Sequence, residues 1–155
     1  PHRLSEPYEA LRKRADGYKA KTGTFPQIFL ANLGKVAQHT ARAMFARNFF
    51  EAGGIEAITN TGFADATSVA KAFTASGAKI AVICGSDPQY GDMATDVAST
   101  LKTAGASLVY LAGHPGDARA GYEAAGIDDF IYVGTDVPDT CRTAMDHLSG
   151  ARGDK

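Results

Sequence analysis

His39, Cys84, Asp87 and His114 are the side chains of this 155-residue chain with the chemistry for acid–base, nucleophilic or metal work. Each ends or follows an apolar run, so a β/α fold would gather all four along one rim. An imidazole beside a thiol or carboxylate makes a general base or an activated nucleophile, and three such groups would hold a divalent metal. The spacing argues otherwise, because the chain has no H-x-x-x-H or C-x-x-C pair and no G-x-S-x-G elbow. We therefore expect no catalytic residue and no metal ligand here. A small hydrolase or lyase using His39 or His114 as base is the reading this sets aside. His2 and His147 stand at a terminus and on a helical surface pattern, where an imidazole is solvated.

Phosphate chemistry fails at the same place. The turn after the first apolar run reads NLGKVAQH, with one glycine where dinucleotide binding needs G-x-G-x-x-G. A P-loop is absent, a Ser/Thr-rich flavin loop would have only Thr40, and the run ends in Asn32 where a Mg²⁺-dependent phospho-acceptor needs carboxylates.

The elements that would position these residues are clearly marked. Apolar runs at 28–33, 55–59, 80–84, 108–112 and 130–133 are each followed by a helical pattern, and those patterns end at Gly53, Gly77, Gly105, Gly126 and Gly150. Glycine just past a helix takes the left-handed conformation without a Cβ clash. Positive φ is expected at Gly53, so Gly53→Val should cost more than Gly54→Ala. Asp65 and Asp136 precede two helices as N-caps. In the helix that follows the first apolar run, the i, i+4 face Ala41, Phe45, Phe49, Gly53 is the expected core face, with Phe45, Phe49 and Phe50 buried in part. Continuous apolar strands alternating with amphipathic helices specify a doubly wound five-stranded parallel sheet, flavodoxin-like, in the order 2-1-3-4-5. Function then belongs in the loops Ala31–His39, Gly85–Tyr90 and Gly113–Gly116, outside the carboxyl ends of the strands.

Residues 1–26 read as an N-terminal helical linker, residues 27–150 as the α/β domain and 151–155 as a disordered tail. The linker carries six Lys/Arg against three acids. Ser5 is its expected N-cap, and Tyr8, Leu11 and Tyr18 form an apolar stripe too thin to hold a helix alone. It should pack on the domain or on a neighbouring one. A formal net charge of −1 and 45% hydrophobic residues point to a soluble, cytoplasmic domain with no nucleic-acid or membrane partner. No apolar run approaches the roughly 20 residues that span a bilayer. Cys84 and Cys141 sit in a strand and a helix pattern and read as buried thiols.

The segment QIFLANLGKVAQHTARAMFARNFFEAGG, residues 27–54, resembles the strand, loop and helix of cobalamin-binding domains of the mutase and methyltransferase type, which carry D-x-H-x-x-G in this loop. Here those three places hold Val36, Gln38 and Ala41. With the HTARAMFARNFFEAGGIEA run, the chain is similar to the C-terminal domain of the small, non-catalytic subunit of methylmalonyl-CoA mutase.

The resemblance implies a parent isomerase, a heterodimer that interconverts methylmalonyl-CoA and succinyl-CoA with adenosylcobalamin, whose large (alpha) subunit and barrel domain are this domain's partners. Its catalytic barrel, typically about 250 residues, does not fit in this chain. In the family the His coordinates cobalt, the Asp two residues earlier fixes its tautomer, and the Gly lets the nucleotide tail pass. Val36 orients nothing, Gln38 is a poor cobalt ligand and Ala41 narrows the passage. Ser86 and Gly113 match residues near the tail, completing a vestigial slot. The expectation is a degenerate fold with an assembly role, without catalysis or bound cofactor of its own. The alternative is a working cobalamin-binding or other small-ligand domain with His39 as cobalt ligand in a register shifted by one, which puts Ala37 at the Asp and Arg42 at the Gly.

Overall fold

In a computed structural model describing residues 2–149, the sheet is wholly parallel and ordered β2-β1-β3-β4-β5, as expected. The strands are β1 (Gln27–Asn32), β2 (Glu56–Ile58), β3 (Ile80–Cys84), β4 (Leu108–Ala112) and β5 (Asp129–Ile131). Every residue of β3 and β4 is buried, which is why both read as continuous apolar runs. Alternation then sorts their side chains between two layers. Ile28, Leu30, Val82 and Tyr110 pack with α2 (Val36–Ala52) and α7 (Val137–Ser149), while Phe29, Ala31, Ile83 and Leu111 pack with α3 (Ala66–Ser76) and α5 (Thr95–Thr103). A short turn α4 (Asp87–Gln89) and a π-helical turn at Tyr90–Ala94 lead into α5, and α6 (Arg119–Ala125) precedes β5.

The marked helix ends are those of the structure. Asp65 accepts from the Ser68 amide at 2.8 Å and Asp136 from the Asp139 amide at 2.9 Å. Gly77 and Gly126 close α3 and α6 in the left-handed region, and Gly105 follows α5 at φ +107°. Gly150 and residues 151–155 lie outside the described residues.

Four details differ from expectation. The core face of α2 is His39, Ala43, Ala46, Phe49 and Phe50, with Phe45 half-buried at its border as expected, but Ala41 is exposed, because the stripe facing the sheet advances by three and four residues in turn. β5 ends at Ile131, and the turn at Tyr132–Thr135 leaves Val133 89% exposed. The N-terminal helix α1 (His2–Thr22) already includes Ser5, which is therefore no cap, and it docks on the domain itself. Leu11 and Ala15 are buried there, and Arg14 pairs with Asp146 of α7 at 2.7 Å. No helix among the described residues is long and apolar enough to cross a membrane.

The fourth difference concerns the glycine pair. Gly53 has φ −96° and Gly54 takes the left-handed conformation at +87°. Gly53 is nonetheless fixed by packing, since a Cβ there would lie 2.5 Å from Cys141 Sγ of α7, and one on Gly54 would lie 2.9 Å from the Ala15 Cβ of α1. The two glycines let α1 and α7 close on the end of α2. Gly53→Ala is expected to cost about 1–3 kcal/mol by overpacking. Because Sγ is the nearest atom, Cys141→Ala should relieve part of that loss, giving a coupling of at least about 0.5 kcal/mol in a double-mutant cycle followed by urea denaturation. Strict additivity would show that the contact is not the cause.

Candidate functional site

The loops after β1, β3 and β4 meet at the carboxyl edge of the sheet, where the strand order reverses. After β1 the chain is pinned by backbone: Leu33 N–H donates to Cys84 O at 2.8 Å and Gly34 N–H to Phe63 O at 2.7 Å. Gly34, at φ +74°, then turns the chain into α2. Val36, Gln38 and Ala41 are all exposed on the first turns of that helix, with Val36 at 53%.

Gln38 reaches across to the β3 loop. Its Oε1 accepts from Lys35 N–H at 2.9 Å and from Gln89 Nε2 at 3.1 Å, while Gln89 Oε1 accepts from Ser86 N–H at 3.1 Å. The Gln89 amide lies directly on Gly34, where a Cβ would come within 1.9 Å of Nε2. One turn further on, Arg42 Nη1 lies 2.9 Å from both the Gly85 carbonyl and Asp87 Oδ1, and its guanidinium sits 5.0 Å from the centre of the Tyr90 ring. Tyr90 is buried under this bridge. Its hydroxyl accepts from Gly85 N–H at 3.1 Å and bonds the Ala112 carbonyl of β4. The crevice between the β1 and β3 loops is thus spanned by side chains of the protein itself, through two polar bridges and one buried phenol.

The four candidate chemical groups are not brought together. Cys84 is fully buried, and desolvation holds its thiol protonated far above the usual range. Asp87 faces Arg42. His39 is 3% exposed, with Nδ1 3.3 Å from the Leu33 carbonyl and its ring against Gly62. An imidazole so placed points under the loop rather than out to a ligand above it. His114 is exposed, its ring tilted against Tyr132 with centroids 4.7 Å apart, and it accepts Gly116 N–H at Nδ1. Among the described residues no group of three or more His, Cys, Asp or Glu is placed to hold a metal. Cys141 is likewise buried, its thiol pushed up to about 12 by desolvation.

Ser86 is half-buried at the start of α4, and Gly113 follows β4 at φ +138° with the Arg42 guanidinium over it. These slot residues therefore border the bridges. The bridging residues Arg42, Gln89 and Tyr90 were not singled out from sequence as a site, because no local pattern marks a pairing across two loops. The only available signal was a glutamine in each of the two loops that meet at the reversal of strand order.

A ligand entering between the β1 and β3 loops meets the Gln38–Gln89 bridge lying on Gly34, and no imidazole faces it.

No protein-family model matches the chain. It is 42% identical over 149 residues, 96% of its length, to a methylmalonyl-CoA mutase small subunit from Streptomyces virginiae, of which it covers 23%. A probable methylmalonyl-CoA mutase small subunit from Mycobacterium tuberculosis is 44% identical over 112 residues, 72% of this chain and 18% of that protein. A third such subunit, from Propionibacterium freudenreichii subsp. shermanii, is 34% identical over 154 residues, 97% of this chain and 23% of that protein. The chain spans about a quarter or less of the length of these curated relatives.

Proposed function

The chain belongs with the methylmalonyl-CoA mutase small subunits, matching one part of a much longer polypeptide, and we propose that it is their C-terminal, cobalamin-binding-like domain, with a structural rather than catalytic role. The parent activity is the interconversion of methylmalonyl-CoA and succinyl-CoA, and this domain serves its assembly with the large subunit and the barrel domain. One observation carries the reading: the crevice at the switch point of the sheet is closed by the Gln38–Gln89 and Arg42–Asp87 bridges. A sheet of this type binds ligands at that crevice. Here Gln38 and Gln89 bond each other across it, a neutral hydrogen bond contributing about 0.5–1.5 kcal/mol to keeping it closed, and Arg42 Nη1 is held by Gly85 and Asp87.

The assembly half of the reading rests on α1. Leu11 and Ala15 hold the helix on its own domain, while Arg12, Lys13, Lys19 and Lys21 remain exposed as a basic surface. Exposed charges of this kind steer association and set its salt dependence more than its final affinity.

Absorbance titration with hydroxocobalamin is the test. Up to micromolar cofactor no saturable spectrum of a histidine-ligated cobalt is expected, and its appearance would overturn the cofactor-free reading. Copurification of the parent subunit with the large subunit tests the assembly role. Removing residues 27–150 should reduce recovery, and equal recovery without them would refute it.

A further inference from the structure

Beside the closed crevice, at the carboxyl ends of β4 and β5, a cleft of about 420 Å³ opens between α2 and the chain around Gly113, His114 and Val133. Small-molecule sites commonly measure roughly 300–1,000 Å³. Its floor is apolar, built from Ala112 and Ile131, with Phe45 on one side. Val133 stands at the mouth, a large aliphatic side chain 89% exposed. The ring pair His114 and Tyr132, with centroids 4.7 Å apart and planes tilted by 47°, forms an aromatic wall.

The polar feature is the second edge of Arg42. Nη1 is committed to Gly85 and Asp87. The flat face of the guanidinium lies over Gly113, with Cζ 3.3 Å and Nε and Nη2 each 3.5 Å from where a Cβ would be, and the contacts to Gly85 and Asp87 both run through Nη1. The N–H groups of Nε and Nη2 are parallel donors that match both oxygens of a carboxylate. The Arg42 side chain lines the cleft and keeps 32% of its surface exposed. His114 adds a donor at the rim, because accepting Gly116 N–H at Nδ1 leaves the neutral ring's proton on Nε2.

We propose that this cleft binds a small apolar carboxylate, an aromatic or branched-chain acid. The acid group sits on Nε and Nη2 of Arg42, and the hydrocarbon body lies among Phe45, Val133 and the His114–Tyr132 pair. Arg42 thereby serves two ends: one edge closes the crevice and the other faces the cleft.

Titration of the ¹⁵N-labelled chain with benzoate tests it, with benzyl alcohol as the uncharged control and inorganic phosphate as the anion without a hydrocarbon body. Benzoate should produce saturable amide shifts at Gly113, His114 and Val133 with a Kd in the millimolar range, about tenfold or more tighter than either control. Arg42→Lys, which keeps the charge but loses the paired donors, should weaken benzoate by about tenfold. Val133→Ala, at an exposed position that leaves folding intact, should weaken benzoate and spare phosphate. Absence of saturable shifts, phosphate or benzyl alcohol binding as tightly as benzoate, or indifference of benzoate to Val133→Ala would each overturn the proposal. The benzoate shifts do not require the crevice to open, so this result and the cobalamin titration fail separately.

Discussion

Phe50→Ala is expected to lower the stability of this protein by about 3–5 kcal/mol. The ring is fully buried between α2 and the sheet, 5.1 Å from the Phe49 ring and 5.4 Å from Tyr110 on β4. Truncation removes the transfer free energy of the aromatic group, leaves a cavity beneath α2, and forfeits ring pairings worth about 0.5–1.5 kcal/mol each beyond their buried area. Phe45 supplies the internal control. It lies half-buried at the border of the same helix face, so Phe45→Ala should cost clearly less. In urea denaturation the loss should appear as a lower midpoint at unchanged slope. A loss under about 1 kcal/mol at Phe50 would remove that residue from the core.

Gly62→Ala is expected to be the most damaging of the small substitutions, for a reason no helix or strand pattern reveals. Gly62 has φ +114°, and a Cβ there would lie 2.1 Å from the Gly34 carbonyl oxygen and 2.7 Å from His39 Cε1. Gly34 O is backbone and cannot swing aside, while His39 is held by the Leu33 carbonyl. The loop from Asn60 to Phe63 must then lift from the end of β1, straining the Gly34–Phe63 hydrogen bond that sets the β1 loop. Gly77→Ala isolates the conformational part, because Gly77 is also left-handed at φ +77° but has nothing within 4 Å of a Cβ. The Gly77 change should cost about 1–2 kcal/mol, and Gly62→Ala about 1–3 kcal/mol more from the collision. Thermal or urea unfolding of the two variants side by side decides it, and equal losses would show that the loop accommodates the methyl group.

The slot shows how far local patterns reach. Val36, Gln38 and Ala41, which the resemblance assigns to the loop after the first strand, stand on the first turns of α2, because Gly34 turns the chain into the helix directly after the strand. Their surroundings were not legible. Gln38 meets Gln89 across 51 residues of chain, and Arg42 meets Gly85 and Asp87 from another strand's loop. Read locally, Arg42 is only a bulky side chain in a glycine's place; in three dimensions it clamps the β3 loop and lies flat over Gly113 beside a cleft.

Strand identity, sheet order, the caps at Asp65 and Asp136 and the left-handed glycines after α3 and α6 were determined by the sequence itself. Each rests on short-range physics: alternation along a strand, a carboxylate three residues before an orphan amide, a missing Cβ at a helix end. The tertiary structure alone decided which of Gly53 and Gly54 takes positive φ, that α1 docks on α7, that His39 turns inward, and that the crevice is bridged by side chains. Those outcomes depend on distances between segments far apart in the chain. A contact of about 3 Å is fixed only when two elements are packed, and no periodicity in either one encodes it.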